Sequence, residues 1–233
     1  MNWDDLLDRS LSRKCNSYNL TVKDEERIYS DYCIYDYGLN GEFMPSTHIK
    51  PNGMYNLKYL KLHGSLNWLI CPRCKRLFID RDHSIAIRDE VCRFCNTEYS
   101  VKPPHLGGII ITPTFMKTLS ELHLKSIWQN AFLELSKATE IVFIGYSFPD
   151  ADFEMRCLLK KAVNPDTSIT VVLHESDDMD GLIGQLKENG IEESVLINLK
   201  KRLDSPEKRY KSFFGKERVS VLYNGFDGYL GRK

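Results

Sequence analysis

Apolar residues recur along this chain at two spacings, and the spacing decides which element each stretch forms. Leu124, Ile127, Trp128, Ala131, Phe132 and Leu135 return every three or four residues, which predicts an amphipathic helix with one stripe turned to a core. Ser120 is placed to cap its N-terminus. Ile141–Ile144 is a continuous apolar run of strand length, the pattern of a parallel strand covered on both faces. Ile169–Leu173 and Val219–Tyr223 read the same way. Between them, Met155, Leu158, Leu159 and Ala162 share a helical face beginning near Asp152, and Leu182, Ile183 and Leu186 mark a shorter helix ending at Gly190. Ser205-Pro206 opens another helix and Gly215 closes it. Gly107–Ile111 predicts a short buried strand stopped at Pro113. Strands alternating with helices predict an α/β domain built on a largely parallel sheet.

The first quarter of the chain carries a weaker pattern. Leu6, Leu7 and Leu11 can share one face of a helix with acids at its start. Short strands or irregular structure are expected between Tyr29 and Tyr37, and Met44-Pro45-Ser46 and Lys50-Pro51-Asn52-Gly53 are turn signals. Two apolar runs then flank a polar break: Tyr59–Leu62 ends in His63-Gly64-Ser65, and Leu66–Ile70 leads into Cys71. His63 is thus expected at the end of a strand.

At 233 residues, the chain has room for one domain of ordinary size, or for one domain carrying a small insertion. Lys and Arg total 32 and so do Asp and Glu, so no general electrostatic pull toward nucleic acid or an anionic membrane exists. No apolar run approaches the ~20 residues of a membrane span. The start, Met1 to Ser10, is acidic and polar, which is not the pattern of a secretory leader. The cysteine count is odd, seven, and four of them pair by spacing, which fits a reducing cytoplasm better than a disulfide framework.

Those four supply the clearest chemistry. Cys71-x2-Cys74 and Cys92-x2-Cys95 form two knuckles whose backbone amides can point at thiolate sulfurs, completing a tetrahedral four-thiolate zinc site. With no open position, such a zinc is structural. The residues between the knuckles are expected to form a small hairpin, and His83 there is read as a surface residue. His63 could serve as a general base or simply hold its turn. Gly145-Tyr146-Ser147, after an apolar strand, could bind phosphate or ribose through backbone amides. Such sheets take ligands at the carboxyl ends of their strands. His48, His105, His123 and His174 carry no reading from position alone.

Taken together these segments resemble the sirtuin-like family, closer to its bacterial, defence-associated branch than to the protein deacetylases. Asn2-Trp3-Asp4 resembles the family's Asn-x-Asp motif, Leu62-His63-Gly64-Ser65 its His-Gly, Gly145-Tyr146-Ser147 its Gly-Thr-Ser turn, and Phe226–Leu230 its C-terminal ending. The four-cysteine module and Gly107-Gly108 with Pro113 come in the expected order. The resemblance implies a Rossmann-like domain over 1–68 and 104–233 and a zinc-ribbon module over 69–103. It implies NAD as substrate and cleavage of its nicotinamide–ribose bond. By the same resemblance, Asn2 and His63 are catalytic, with Asn2 on a water or the ribose hydroxyls and His63 as the base. Asp4 holds the carboxamide, and Gly145, Tyr146, Ser147, His174 and Glu175 line the nucleotide. Asn2 and His63 are expected to meet across one hollow.

Three departures shape the expectation. The family's Gly-Ala-Gly-x-Ser loop and the strand before Asn2 have no counterpart, which implies an incomplete sheet finished by a preceding segment or a separate chain, and a tendency to self-associate as a homo-oligomer. The deacetylases' Phe-Gly-Glu has no match in Ile110–Met116, which favours water over acyl-lysine as acceptor. The adenosine-ribose asparagine has no obvious match in Val171–Glu175. NAD hydrolysis is therefore favoured, with inactivity of an incomplete chain as one outcome. The alternatives are an NAD-dependent deacylase and a non-enzymatic zinc-bearing interaction module.

Overall fold

The apolar runs of this chain become the strands of its sheets, and the three-and-four stripes become its helices. The computed structural model describes residues 6–23, 26–28, 30–31, 35–37, 43–45, 57–79, 90–98, 102–110, 122–174, 179–192, 194–195 and 205–231. They divide into two compact units, Met1–Phe132 and Leu133–Lys233.

The first unit opens with helix α1 (Leu6–Asn19). Asn19 ends it by turning its amide onto a later segment: Nδ2 donates to the Ile28 carbonyl at 2.6 Å, and Oδ1 accepts from the Ile28 N–H at 2.7 Å. Strands β1 (Ser30–Asp31), β2 (Tyr35–Tyr37), β3 (Phe43–Pro45), β4 (Leu57–Lys58), β5 (Gly64–Ile70) and β6 (Leu77–Ile79) come next, then helix α2 (Arg93–Glu98) and strand β7 (Gly107–Ile110). Five strands make a mixed sheet in the order β3-β2-β6-β5-β7, while β1 and β4 pair parallel to each other. β5 runs antiparallel to both neighbours, β6 and β7, and its register on β7 shifts between Ser65 and Leu69.

Strand periodicity splits β5 between two cores. Trp68 and Ile70 pack with Leu77, Ile79, Ile109, Leu124 and Ile127. Leu69 points the other way, into Phe78, Cys71, Cys92 and Cys95. Each large apolar side chain taken fully out of water contributes about 1.5–3 kcal/mol, so Trp68, Leu77 and Ile127, all fully buried, anchor this unit. Helix α3 (Leu122–Lys137) supplies Leu124, Ile127, Trp128 and Ala131 as its buried stripe, while Phe132 faces solvent.

The second unit is the parallel sheet. Strands β8 (Glu140–Ile144), β9 (Ser168–Val172) and β10 (Val219–Leu222) lie in the order β10-β9-β8, all parallel. Helix α4 (Phe153–Ala162) links β8 to β9, and α5 (Met179–Glu188) and α6 (Pro206–Phe214) lie between β9 and β10. A short helix α7 (Gly225–Leu230) comes after β10. Helix α6 has the predicted ends. Ser205 Oγ accepts from the Lys208 N–H, Pro206 is in the first turn, and Gly215 (φ +96°) closes it. The core comprises Phe148, Leu159, Ile169, Val171, Leu173, Tyr210, Phe214 and Val219.

The fold is mixed α/β, with the parallel strands gathered in the second unit. Several details depart from the pattern reading. Residues 59–62 are not a strand: among the described residues they join no ladder, and they lead from β4 into the turn before β5. His63 therefore precedes β5 instead of ending a strand. β7 is exposed except at Ile109, since its two glycines bring no side chains to bury. β8 is only half-buried, because among the described residues it pairs on one edge, with β9. The inter-knuckle hairpin (in part), Ser120, Pro113 and His83 fall outside the described residues.

Candidate functional site

The two knuckles converge as their spacing requires. Cys71 is the residue after β5, Cys74 sits in the next turn, Cys92 precedes α2 and Cys95 lies on its first turn. All four Sγ atoms lie within 4.8 Å of one another. Cys71 and Cys95 are 3.8 Å apart through sulfur, and Cys74 and Cys92 3.6 Å. A tetrahedron with Zn–S bonds of ~2.3 Å has edges of about 3.8 Å, so the donor set fits zinc. The Cys74 N–H points at Cys71 Sγ (3.4 Å) and the Cys95 N–H at Cys92 Sγ (3.5 Å), the amide arrangement that favours thiolate. Lys75 closes the first knuckle in the left-handed region (φ +58°), its N–H bonded to the Cys71 carbonyl.

The thiols differ among themselves. Burial opposes ionisation of Cys71, yet the Cys74 and Arg73 backbone amides, with its neighbouring thiols, bring it down to about 7. Burial, then the crowding thiols, pushes Cys92 up to about 12, and burial likewise raises Cys95. Four thiolates cannot share so small a volume without a cation among them.

The His63 turn is fixed by its neighbours. The Gly64 N–H bonds the Lys61 carbonyl at 3.1 Å. Gly64 takes φ +78° and packs so closely on β7 that a Cβ would stand 2.3 Å from the Ile109 carbonyl oxygen. Only glycine fits there, and this accounts for His-Gly as a unit. Trp128 of α3 donates Nε1–H to the Leu62 carbonyl at 2.8 Å and sets its ring edge-on to His63, centroids 6.2 Å apart. His63 is 6% exposed. Beside it runs a buried polar chain: Lys61 Nζ donates to Ser65 Oγ (2.6 Å), which donates to Asn67 Oδ1 (2.7 Å).

In the second unit, the carboxyl ends of three parallel strands lie side by side. The Gly145 N–H bonds the Val172 carbonyl (3.3 Å), the Leu173 N–H the Leu222 carbonyl (2.8 Å), and the Gly225 N–H the Leu173 carbonyl (3.0 Å). Gly145 takes φ +63° with open space where a Cβ would project. Tyr146 OH donates to Asp152 Oδ2 at 2.8 Å, and burial, then that carboxylate, holds its phenol well above the usual range. Ser147 is exposed, and Phe148 is fully buried in the left-handed region at φ +53°.

The structure thus brings together the four cysteines, and it sets exposed His174 just past β9, one strand from Gly145, Tyr146 and Ser147. His63 belongs to the first unit and those four to the second. Asn2, Asp4 and Glu175 lie outside the described residues. Pattern reading misses the supports. His123 Nε2 donates to the Lys75 carbonyl at 2.9 Å, tying α3 to the first knuckle. Arg209 and Tyr210 hold the Gly145 turn through its carbonyls. Nothing in their residue types or spacing marks them, so only tertiary geometry reveals them. No helix among the described residues is long and apolar enough to cross a membrane.

No family model matches the chain, and no curated protein matches it. Among solved structures it is similar to a Sir2 homolog in complex with NAD, 18% identical over 50% of this chain and 40% of that one, with a TM-score of 0.33. A mutant Sir2 homologue in complex with ADP ribose is 18% identical over 52% and 42%, with a TM-score of 0.33. A third structure, described as the structural basis for sirtuin substrate affinity, is 17% identical over 52% and 46%, with a TM-score of 0.31. The chain covers less than half the length of each of these structures.

Proposed function

We propose that this chain is a sirtuin-like, NAD-consuming protein that cleaves the nicotinamide–ribose bond, with water favoured over acyl-lysine as acceptor. The observation that carries the reading is the second unit's sheet. Three sequential parallel strands in the order β10-β9-β8 have the topology of one half of a doubly wound fold, which supports a nucleotide site there. The turn after β8 opens on Gly145, where such sheets take nucleotides. Gly145, Tyr146 and Ser147, with His174 and Glu175 beyond β9, would line the nucleotide.

His63 would act as the general base, taking a proton from a ribose hydroxyl or from the attacking water as positive charge develops on the ribose. Its rigid turn, held by Trp128 and by the Gly64 contact, suits a group that must hold its place. Asn2 would hold the water or the ribose hydroxyls, and Asp4 the carboxamide. Cys71, Cys74, Cys92 and Cys95 would hold a zinc ion that fastens the first unit and takes no part in chemistry, because all its positions are filled by sulfur.

Incubation of the chain with NAD, with nicotinamide monitored by chromatography, tests this. Nicotinamide release that His63→Ala abolishes is the expected result, with no matching turnover of an acetyl-lysine peptide. A chain that neither binds NAD nor releases nicotinamide refutes the reading.

A further inference from the structure

We propose that Arg209 and Tyr210, neighbours on α6, are positioning residues that aim the Ser147 and Phe148 amides at the pyrophosphate of a bound dinucleotide. The inference rests on the nucleotide reading of the Gly145 turn. Tyr210 OH donates to the Tyr146 carbonyl at 2.9 Å. Arg209 forks the next carbonyl, Ser147, through Nε (3.0 Å) and Nη2 (2.7 Å). Two successive carbonyls of one turn are therefore drawn to the same helix.

Peptide geometry then sets where the intervening amides point. No cis peptide occurs among the described residues. In a trans peptide the C=O of one residue and the N–H of the next point in opposite directions. With the Tyr146 and Ser147 carbonyls turned to α6, the Ser147 and Phe148 amides are turned away from it. Among the described residues these two amides make no backbone hydrogen bond. Gly145 beside them leaves open space, and Ser147 is exposed. A pair of convergent amides on an open turn suits an anion with several oxygens.

The turn is also locked. Phe148 adopts φ +53°, which a bulky residue holds only when its surroundings over-determine it. Its ring is stacked on Tyr210 at 4.7 Å, edged by Phe213 at 4.9 Å and covered by the Arg156 guanidinium at 4.5 Å. The acids nearby are engaged: Asp150 pairs with Arg156 at 2.9 Å, and Asp152 accepts from Tyr146 OH. Removing Arg209 would take both side-chain donors from the Ser147 carbonyl, loosening the aim of that peptide while leaving the aromatic stack in place.

The test uses the full chain and ADP-ribose, the part of NAD that keeps the pyrophosphate. Affinity is measured by calorimetry, and the Ser147 and Phe148 amide resonances are tracked on titration. Arg209→Gln should weaken ADP-ribose binding about tenfold with its melting temperature unchanged, and Tyr210→Phe should weaken it about threefold. Arg209→Lys, which keeps one donor, should recover part of the loss. In the wild type, ADP-ribose should shift both amides strongly, and in Arg209→Gln only weakly. If Arg209→Gln binds as the wild type does, or ADP-ribose binds without moving those amides, the positioning role is wrong while the nucleotide reading stands. For Arg209→Gln, a loss of affinity matched by a fall in melting temperature, without rescue by lysine, assigns the arginine to stability alone and overturns the proposal. A wild-type chain that binds no ADP-ribose overturns the nucleotide reading, and the proposal with it.

Discussion

Gly64→Ala should destabilise the first unit by about 2–5 kcal/mol, from two separate costs. Gly64 sits at φ +78°, and a Cβ in the left-handed region costs roughly 1–2 kcal/mol. The new Cβ would also lie 2.3 Å from the Ile109 carbonyl oxygen and 3.2 Å from its carbon, both backbone atoms that cannot swing aside. Non-bonded contacts relax near ~3.5 Å, so β7 must retreat by about 1 Å, a displacement in the ~1–3 kcal/mol range of overpacked sites. The retreat strains the pairs Gly64–Ile110 and Ser65–Ile109. Gly107 and Gly108, on the partner strand, are the controls: nothing lies within 4 Å of a Cβ at either, and neither has positive φ. Alanine there should be neutral or slightly stabilising, since glycine inside a strand costs about 0.5–1 kcal/mol. Trp68 and Trp128 both report on the first unit, so urea unfolding monitored by tryptophan fluorescence reads the effect directly. The glycine rationale for the His-Gly turn fails if Gly64→Ala unfolds within about 0.5 kcal/mol of the wild type.

Two further outcomes are expected. One zinc per chain should be found by elemental analysis, and its removal by chelation should lower the melting temperature; a metal-free preparation that melts unchanged rules out a structural metal. Tyr146 and Tyr210 are both raised in the folded state, Tyr146 by burial and then Asp152, Tyr210 by burial. Their contribution is thus fully present below the ordinary tyrosine value near ~10 and is lost as pH rises above it, because the unfolded chain ionises first, at up to about 1.4 kcal/mol per pH unit for each. Urea midpoints between about pH 9 and 11.5 should fall in the wild type and fall less in Tyr146→Phe; equal slopes refute the assignment.

What the chain discloses before folding depends on how local the governing interaction is. The cysteine cluster is legible because a knuckle is a four-residue object, and two of them specify a tetrahedron. Helix α6 is legible at both ends because Ser205, Pro206 and Gly215 act on their own backbone. The strand at Tyr59–Leu62 misleads because an apolar run shows only that a segment is buried. Whether it pairs is decided by partners elsewhere in the chain, and here Trp128 takes the Leu62 carbonyl that a strand would have offered to a ladder. β8 misleads for the same reason in reverse: its composition suits two covered faces, but its exposure is set by how many neighbours the sheet supplies.

The candidate site divides along the same line. His63, Gly145, Tyr146 and Ser147 stand out as residue types in turns, yet what would make them functional is held by side chains with no signature. Helix α3 illustrates this. His123 bonds the Lys75 carbonyl at the metal knuckle, and Trp128 bonds the Leu62 carbonyl before His63. Five residues of helix rise separate them, about 7.5 Å, so one rigid rod braces the thiolate cluster and the histidine turn together. The thiol cluster and the His63 turn are consequently two ends of one support within the first unit. A metal held there would set how firmly the imidazole is held even with no free coordination position, because the helix that reads the knuckle's backbone is the helix that reads the turn's.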